Sequence, residues 1–298
     1  MKIISAVFTL FLLGSASASA QVKFGNLAEA KELLNNKSKS VAQPGMRYEQ
    51  SFSYDAGKPG QIVLTTTSVD AKGKSATWQT GFFLEHIYLN KILPVSTTKE
   101  LKLEVFAMND QRLFRETRDS KSSYRSSFDI YFDDMQAARD AKEALVYIIK
   151  NSDYPRLNFS SPAEAYSWLE TSPDVTFTSN GETYVNKVEV ARDQNNRISW
   201  EVAVTDAKGA QKQMKYDFYA ADFNIYSFKI TVAGNMLGVD FLTANNAKAV
   251  KYFENGIQKS FVNRFVIFLD DPRLAMDVIK TLRYLISGKM EEEDIQRK

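Results

Sequence analysis

The chain of 298 residues has room for about two ordinary domains, and its contents of 44% hydrophobic and 25% charged residues are typical of a globular protein. A formal net charge of +2 without a basic stripe argues against a nucleic-acid partner. The absence of cysteine excludes disulfides, thiol catalysis and thiolate metal sites, and a single histidine excludes a histidine-rich zinc site.

Residues 1–20 are predicted to be a secretory signal peptide. Lys2 supplies the positive end, Ile3–Leu13 is an apolar core too short to span a membrane comfortably, and Ala18–Ala20 has the small-residue pattern of a cleavage site. We therefore expect cleavage after Ala20, a mature chain that begins at Gln21, and a secreted or periplasmic location. No later segment is apolar for long enough to form a transmembrane segment after signal removal.

The rest of the chain predicts one structural unit that occurs twice. Each copy opens with a short amphipathic helix, at Phe24–Leu34 and at Phe159–Leu169, so that equivalent positions differ in number by 135. Each copy then has a turn spelled Asp-Ala-Lys-Gly, at Asp70–Gly73 and Asp206–Gly209, where the offset is 136. So long a period indicates a duplicated domain rather than a solenoid, whose repeats span about 20 to 50 residues.

The middle of each copy is predicted to be β-structure. In the second copy, alternating apolar residues and turns of Asp, Asn and Gly delimit about seven short strands. They lie near residues 184–191, 198–205, 213–220, 227–233, 238–243, 247–253 and 262–269. The first copy follows the same plan, with a longer and more aromatic third-strand region.

Each copy closes with a strand, two aspartates and an amphipathic helix, at Ser127–Asn151 and Arg264–Gly288, where the offset has grown to 137. Asp271 is placed to cap the second closing helix, Pro272 suits its first turn, and Gly288 is a natural left-handed terminator. The chain is therefore divided into a signal peptide (1–20), a first repeat (21–154), a second repeat (155–289) and a charged tail (290–298).

The predicted fold is mainly β, of α+β type, with a helix at both ends of each copy. A run of about seven short strands closed by a C-terminal helix resembles the pleckstrin-homology-like (PH-like) barrel, in which that helix plugs one open end of a bent sheet. The resemblance implies two tandem antiparallel barrels, each with an additional leading helix. The pattern of each copy is also similar to that of secreted bacterial proteins of unknown function, which implies export and no particular activity.

The resemblance does not extend to a lipid-headgroup site. Membrane-binding members of the PH-like superfold hold inositol phosphates with a basic first hairpin. The corresponding hairpins here are Asp55–Gly60 and Arg192–Arg197, and neither is a strong anion cradle. We therefore expect no inositol-phosphate site.

Few residues of the sequence point to catalysis. His86 could belong to a Ser-His-Asp arrangement, but no Gly-x-Ser-x-Gly elbow accompanies it, and an ordinary hydrogen-bonded histidine in a strand or turn is favoured. The pairs Asp133-Asp134 and Asp270-Asp271 could bind calcium or act as acid and base, but capping of the following helices explains them better. We assign no catalytic, cofactor-binding or metal-ligating residue, and we expect no two carboxylates from separate strands to converge in a buried cleft.

Aromatic residues cluster in equivalent parts of the two copies, and they allow two interpretations. Aromatic side chains on strands usually fill a core, which is the favoured reading for any one of them. Aromatic clefts also bind glycans and peptides. The candidate residues for such a binding surface are Trp78, Tyr88, Tyr219 and Tyr226.

These observations favour an exported, non-enzymatic interaction module for a protein segment or an envelope component. Binding would occur at an exposed strand edge or in the groove between the two repeats. The alternative is an exported carboxylate-dependent hydrolase or carbohydrate-active enzyme with its site between the domains, which a close carboxylate pair in an aromatic cleft would favour. A purely structural envelope protein is the third hypothesis.

Overall fold

The computed structural model describes residues 22–192 and 195–290. The predicted signal peptide and all of the charged tail except Met290 lie outside the described residues. Within the described ranges the chain is mainly β, with eighteen strands and four α-helices. None of these helices combines the length and the apolar character that a bilayer crossing requires.

The two halves of the chain have the same order of elements: a helix, nine strands and a closing helix. The first half consists of α1 (Leu27–Ser38), β1 (Ser40–Gln43), β2 (Met46–Tyr54), β3 (Gln61–Asp70), β4 (Ser75–Phe83), β5 (Ile87–Ser96), β6 (Leu101–Ala107), β7 (Phe114–Arg118), β8 (Lys121–Arg125), β9 (Ser127–Tyr131) and α2 (Met135–Asn151). The second half consists of α3 (Pro162–Thr171), β10 (Thr176–Ser179), β11 (Glu182–Ala191), β12 (Arg197–Thr205), β13 (Gln211–Phe218), β14 (Lys229–Ala233), β15 (Met236–Leu242), β16 (Val250–Glu254), β17 (Ile257–Val262), β18 (Arg264–Leu269) and α4 (Pro272–Ser287). The prediction of about seven strands per copy is therefore too low, because short strands such as β10 and β17 carry little apolar alternation.

Each half contains one six-stranded and one three-stranded antiparallel sheet. The first half has the strand orders β1-β2-β3-β4-β7-β8 and β5-β6-β9, and the second half repeats them as β10-β11-β12-β13-β16-β17 and β14-β15-β18. The chain thus leaves the larger sheet after its fourth strand, forms two strands of the smaller sheet, and then returns. None of the described sheets closes into a barrel, so mainly antiparallel sheets with flanking helices are what the structure shows.

The two Asp-Ala-Lys-Gly turns have the same hydrogen bonds. In each turn the aspartate Oδ1, of Asp70 or Asp206, accepts the backbone N–H groups two and four residues later at 2.8–2.9 Å. Gly73 and Gly209 have φ angles of 81° and 82°, in the left-handed region that glycine enters without steric cost. The duplication predicted from the sequence is therefore present in backbone geometry as well as in residue identity.

The residue that moves the offset from 136 to 137 lies in β17. Lys121 and Ile257 are equivalent because each pairs with the last residue of the preceding strand, an offset of 136. Arg125 and Val262 are equivalent because each pairs with the first residue of that strand, an offset of 137. A register shift lies between these two pairs, and Lys259 is the residue without a cross-strand partner. The insertion is therefore a β-bulge in an edge strand.

A buried amide joins the two sheets in each half. The side chain of Gln50 on β2 donates to the carbonyl oxygen of Tyr131 on β9 and accepts its N–H, both at 3.0 Å. Its equivalent, Asn186 on β11, donates to the carbonyl oxygen of Phe268 on β18 at 3.1 Å and accepts the indole N–H of Trp200. These contacts satisfy buried polar groups where regular pairing between the sheets is absent.

The closing helices are capped as predicted. Asp134 accepts the N–H of Ala137 at the start of α2, and Asp271 accepts the N–H of Arg273 at the start of α4. Gly288 follows α4 in a left-handed conformation with φ 69°. These contacts confirm helix capping as the role of the second aspartate in each pair.

The buried face of α4 differs in part from the face that the sequence predicts. The apolar spacing places seven residues on that face: Leu274, Ala275, Val278, Ile279, Leu282, Leu285 and Ile286. Ala275, Val278, Ile279 and Leu282 are buried, whereas Leu274, Leu285 and Ile286 are only partly buried. Met276, Thr281 and Tyr284 are buried in addition, and the ring of Tyr284 lies 5.5 Å from that of Phe159, which precedes α3.

The N-terminal end of α4 also contacts the first half of the chain. The guanidinium of Arg273 donates to Glu85 at 2.5 Å and to the carbonyl oxygen of Pro59 at 2.6 Å, and its cation lies over the ring of Phe83. Lys58 forms a 3.3 Å ion pair with Asp271. The second closing helix therefore links the two halves through polar contacts.

Candidate functional site

A basic groove of about 730 Å³ lies on the first half and is bounded by the second. We define it by Trp78, Arg112, Arg118, Tyr124, Arg125 and Asp129, which line it together with residues of the β14–β15 turn. Alternation along β4 explains one wall, because Trp78 and Thr80 lie on the same face of the strand as the buried Phe82. The groove therefore begins where the apolar core of the first half ends.

An unpaired strand edge forms another side of this groove. The last strand of the larger sheet is β8, which pairs with β7 and with no further strand of the described chain. Residues 123–127, at the end of β8 and just beyond it, line the groove. An edge strand exposes backbone N–H and C=O groups that can pair with another chain.

The charges of the groove are predominantly positive. Arg125 forms a 3.2 Å ion pair with Glu116, whereas Arg112 and Arg118 form no ion pair within the described residues. The guanidinium of Arg118 lies 4.8 Å from the ring centroid of Trp78, a cation–π arrangement that holds the arginine beside the groove. Two arginines are therefore available to an incoming anion.

Two partly exposed carboxylates from different strands also line the groove. Glu116 belongs to β7 and Asp129 to β9, and both face the same cavity. Burial raises the pKa of Asp129, and the ammonium of Lys102 at 3.0 Å opposes that effect. The crossover of the chain between the two sheets places both residues at one cavity, which no local pattern in the sequence predicts.

An apolar cleft of about 440 Å³ lies in the second half. We define it by Tyr184, Val202, Val204, Met214, Val266 and Phe268, which come from four strands of the two sheets. On β13, Met214 and Tyr216 share a face with the buried Phe218, just as Trp78 and Thr80 share one with Phe82. The cleft is thus the second-half counterpart of part of the basic groove.

Equivalent positions in these two cavities carry different chemistry. At an offset of 136, Trp78 corresponds to Met214. Their cross-strand partners, Arg118 and Glu254, therefore correspond as well. At an offset of 137, Asp129 corresponds to Val266. The repeat has therefore kept its strands and changed the side chains at this end.

The first aspartate of each pair has a separate role from the cap. Asp133 accepts the N–H of Ala42 on β1 at 2.7 Å. Asp270 lines a smaller cleft of about 280 Å³ between the two halves, and its carbonyl oxygen accepts the hydroxyl of Tyr124 at 3.2 Å. No group of acidic or histidine residues suited to hold a metal ion is found in the part of the chain that the structure describes.

His86 lies outside all three cavities. It is 3% exposed, at the end of a 3₁₀ turn, with its ring 5.5 Å from that of Phe83. Burial lowers its pKa to about 3, and the positive charges of Lys280 and Arg273 contribute. The histidine is therefore neutral at ordinary pH and belongs to the contact between the halves.

The four predicted aromatic site residues do not all line the same cavity. Trp78 lines the basic groove. Tyr88 lies on β5 beside Lys91, whose ammonium is 5.7 Å from its ring centroid. Tyr219 and Tyr226 are 39% and 79% exposed near a 3₁₀ turn of the second half, and neither lines the groove or the cleft. Trp78 alone among the four joins the candidate site.

The arginines of the groove were not predicted as site residues from the sequence. A signal was present, because Arg112, Arg115, Arg118, Lys121 and Arg125 lie within one short stretch of the chain. The net charge of the whole chain is only +2, so it does not indicate this local concentration of basic residues. Its position on an edge hairpin was also unpredictable without the strand order.

Comparison with known proteins found no matching family model, no matching curated protein and no matching solved structure.

Proposed function

We propose that this protein is an exported, non-enzymatic binding module whose basic groove takes an extended, acidic segment of a partner protein. The observation that carries the proposal is the meeting of an unpaired strand edge, β8, with the arginines Arg112 and Arg118 in one groove. Export rests on the signal-like pattern of residues 1–20.

The backbone of the partner would add to the larger sheet beside β8. Strand addition gives affinity through main-chain hydrogen bonds, and pockets for alternate side chains give selectivity. Alternate residues of the segment would face the groove, where Arg112 and Arg118 can each donate to a carboxylate. Trp78 supplies a rigid aromatic wall for an apolar residue between the acidic ones.

The equivalent edge of the second half is less suited to this role. Its edge strand, β17, contains the bulge at Lys259, and bulges and lysines are devices that protect sheet edges from pairing. Arg118 is also replaced there by Glu254, which would repel an acidic segment. The proposal therefore places binding on the first half.

Fluorescence anisotropy with a labelled peptide of alternating glutamate and valine tests the proposal. We expect Arg118→Glu to weaken binding by about tenfold or more, since loss and reversal of an interfacial charge costs at least about 1.4 kcal/mol. Lys251→Glu is the matched control, because Lys251 is an exposed base on β16 of the other half.

Strand pairing is tested with the peptide rather than the protein. Two peptides are compared, one N-methylated at the odd-numbered residues and the other at the even-numbered residues. Each retains its charge but loses the main-chain N–H donors along one edge of the extended peptide. We expect the peptide that is methylated on the edge facing β8 to bind far more weakly than the other. Equal binding of both peptides, or equal loss for the Arg118 and Lys251 variants, would contradict the proposed mode.

A second candidate function is carboxylate-dependent hydrolysis, for which Glu116 and Asp129 are the specific observation. A carboxyl group with a raised pKa can act as a general acid, and a second carboxylate can act as base or nucleophile. Glycoside substrates would be screened with Asp129→Asn and Glu116→Gln as paired variants. Turnover that both variants abolish while their melting temperatures are retained would replace the binding module with an enzyme.

The relation to the PH-like superfold is also a proposal. Each half begins its larger sheet with a four-strand meander and ends with a helix, which supports the relation. The return of β7 and β8 to the larger sheet adds strands that the resemblance does not imply. Two tandem PH-like units with such an addition remain the proposed ancestry of the halves.

Export has its own test. The intact mass of the protein recovered from the extracellular or periplasmic fraction should correspond to a chain that begins at Gln21. A mass that includes residues 1–20 would contradict the predicted cleavage after Ala20.

A further inference from the structure

The apolar cleft of the second half lies at the end of an interior face built by four strands. Val202 and Val204 come from β12, Met214 from β13, and Val266 and Phe268 from β18, all of them lining the same cavity. The aromatic core begins immediately beneath it, where the ring of Tyr216 stacks on Phe265 at 4.4 Å. We propose that this cleft binds the uncharged hydrocarbon part of a small molecule.

The size of the cleft fits this class of ligand. Its volume of about 440 Å³ lies within the range of roughly 300–1,000 Å³ that is typical of small-molecule sites. Such sites are lined mainly by apolar and aromatic side chains, as this one is. The three strands of the larger sheet that line the cleft, β11 to β13, are all internal to that sheet, so they offer no free edge to an extended protein segment.

The charges at the rim disfavour an anionic ligand group in the interior. Lys212, the basic side chain among the described residues that line the cleft, already forms a 3.1 Å ion pair with Glu254. Glu182 accepts the hydroxyl of Tyr184 at 2.5 Å, and the Oδ1 of Asp206 accepts two backbone N–H groups of its turn at 2.8 Å. A buried anionic group would therefore lack a free counter-charge and would carry a large desolvation cost.

The first half shows that the fold itself does not require an apolar lining here. At the positions of Val202 and Val204 the first half has Thr66 and Ser68, and at the position of Val266 it has Asp129. The same strands pair in the same register with polar residues at these sites. The fold therefore does not require apolar side chains at Val202, Val204 and Val266, which points to a ligand rather than to folding as the reason for them.

Titration with the uncharged fluorescent probe N-phenyl-1-naphthylamine tests the site on the mature protein. We expect one probe molecule to bind, with a blue-shifted emission. Met214→Trp introduces the larger side chain that the first half has at this position, and it should weaken binding by about tenfold or more through lost volume. Val202→Thr with Val204→Ser copies the polar lining of the first half and should weaken binding as well.

Val185→Ser is the matched control, because Val185 neighbours Tyr184 on β11 but is 39% exposed on the opposite face. Binding should be unchanged in this variant, and the melting temperature of every variant shows whether it folds. Failure of the probe to bind the native chain would overturn the proposal, as would equal affinity in the Met214 and Val185 variants. Acidic-peptide binding should persist in the cleft variants, so this proposal and the proposed function fail separately.

Discussion

The basic groove and the apolar cleft occupy equivalent ends of a repeated unit but differ in almost every side chain. Trp78 and Asp129 in one become Met214 and Val266 in the other, and Arg118 becomes Glu254. The turns and helix caps, in contrast, keep their hydrogen bonds in both halves, and each bridging amide donates to the equivalent carbonyl oxygen. The difference indicates that side chains which bond to the backbone maintain the same backbone geometry in both halves. The residues that line the groove and the cleft have diverged.

The largest expected effect tests whether the closing helices are equivalent. Leu145→Ala in α2 and Leu282→Ala in α4 each remove a fully buried side chain, and each should lower the free energy of unfolding by about 2–5 kcal/mol. Urea denaturation measures both variants, with the exposed Arg139→Ala as control. A loss below about 1 kcal/mol at one helix only would break the equivalence of the two.

The contact between the halves gives the next largest effect. The pKa of His86 is lowered to about 3 in the folded protein, against about 6.5 when unfolded, so the unfolded state binds the extra proton between these values. Stability therefore rises with pH across that window and falls as the pH drops from about 6.5. Between neutral pH and pH 4.5, the free energy of unfolding of the native protein should fall by about 3 kcal/mol more than that of His86→Gln.

Urea denaturation of both proteins at neutral and acidic pH measures this difference. The positive charges of Lys280 and Arg273 face the ring and increase the effect, and the neighbouring Glu85 has its pKa raised by burial and lowered by Arg273. Parallel pH profiles for the native protein and the variant would show that His86 is not buried in its neutral form. The second half offers a contrast, because its counterpart Asp222 instead accepts the N–H of Tyr219.

The two Asp-Ala-Lys-Gly turns should respond alike to the loss of their aspartates. Asp70→Ala and Asp206→Ala each remove an oxygen that accepts two backbone N–H groups on an exposed turn. We expect each to lower the free energy of unfolding by about 1 kcal/mol, because exposed donors can bind water instead. Thermal denaturation of the pair compares them directly, and a difference of more than twofold would argue against equivalent turns.

The smallest effect on stability should come from deletion of Lys259, which would convert the bulged β17 into a regular strand like β8. We expect the free energy of unfolding to change by less than about 1 kcal/mol, since the bulge lies on an exposed edge. The deletion should increase self-association, because a regular edge with the exposed Ile257 and Phe261 is open to pairing. Analytical ultracentrifugation measures this, and a sedimentation coefficient equal to that of the native protein would show that the bulge does not protect the edge.

The sequence by itself determined the duplication, the helix caps and the turns. The contacts of Asp70, Asp134 and Asp271 are made with backbone groups a few residues away, so a local pattern is enough to specify them. The closing helices were predicted for the same reason, since their apolar spacing is a local property.

Only the tertiary structure decided which strands are neighbours and therefore where the candidate site lies. The return of β7 and β8 to the larger sheet places Arg118 beside Trp78 and leaves β8 as an edge, although the two strands of the smaller sheet separate these residues in the chain. The positive charges that act on His86 come from Lys280 and Arg273 of α4, the last helix of the second half. Strand pairing depends on the free energies of the alternative arrangements of the whole sheet, so it cannot be predicted from a short stretch of sequence. For that reason the repeated unit could be predicted from the sequence, whereas the positions of the groove and the cleft required knowledge of the strand order.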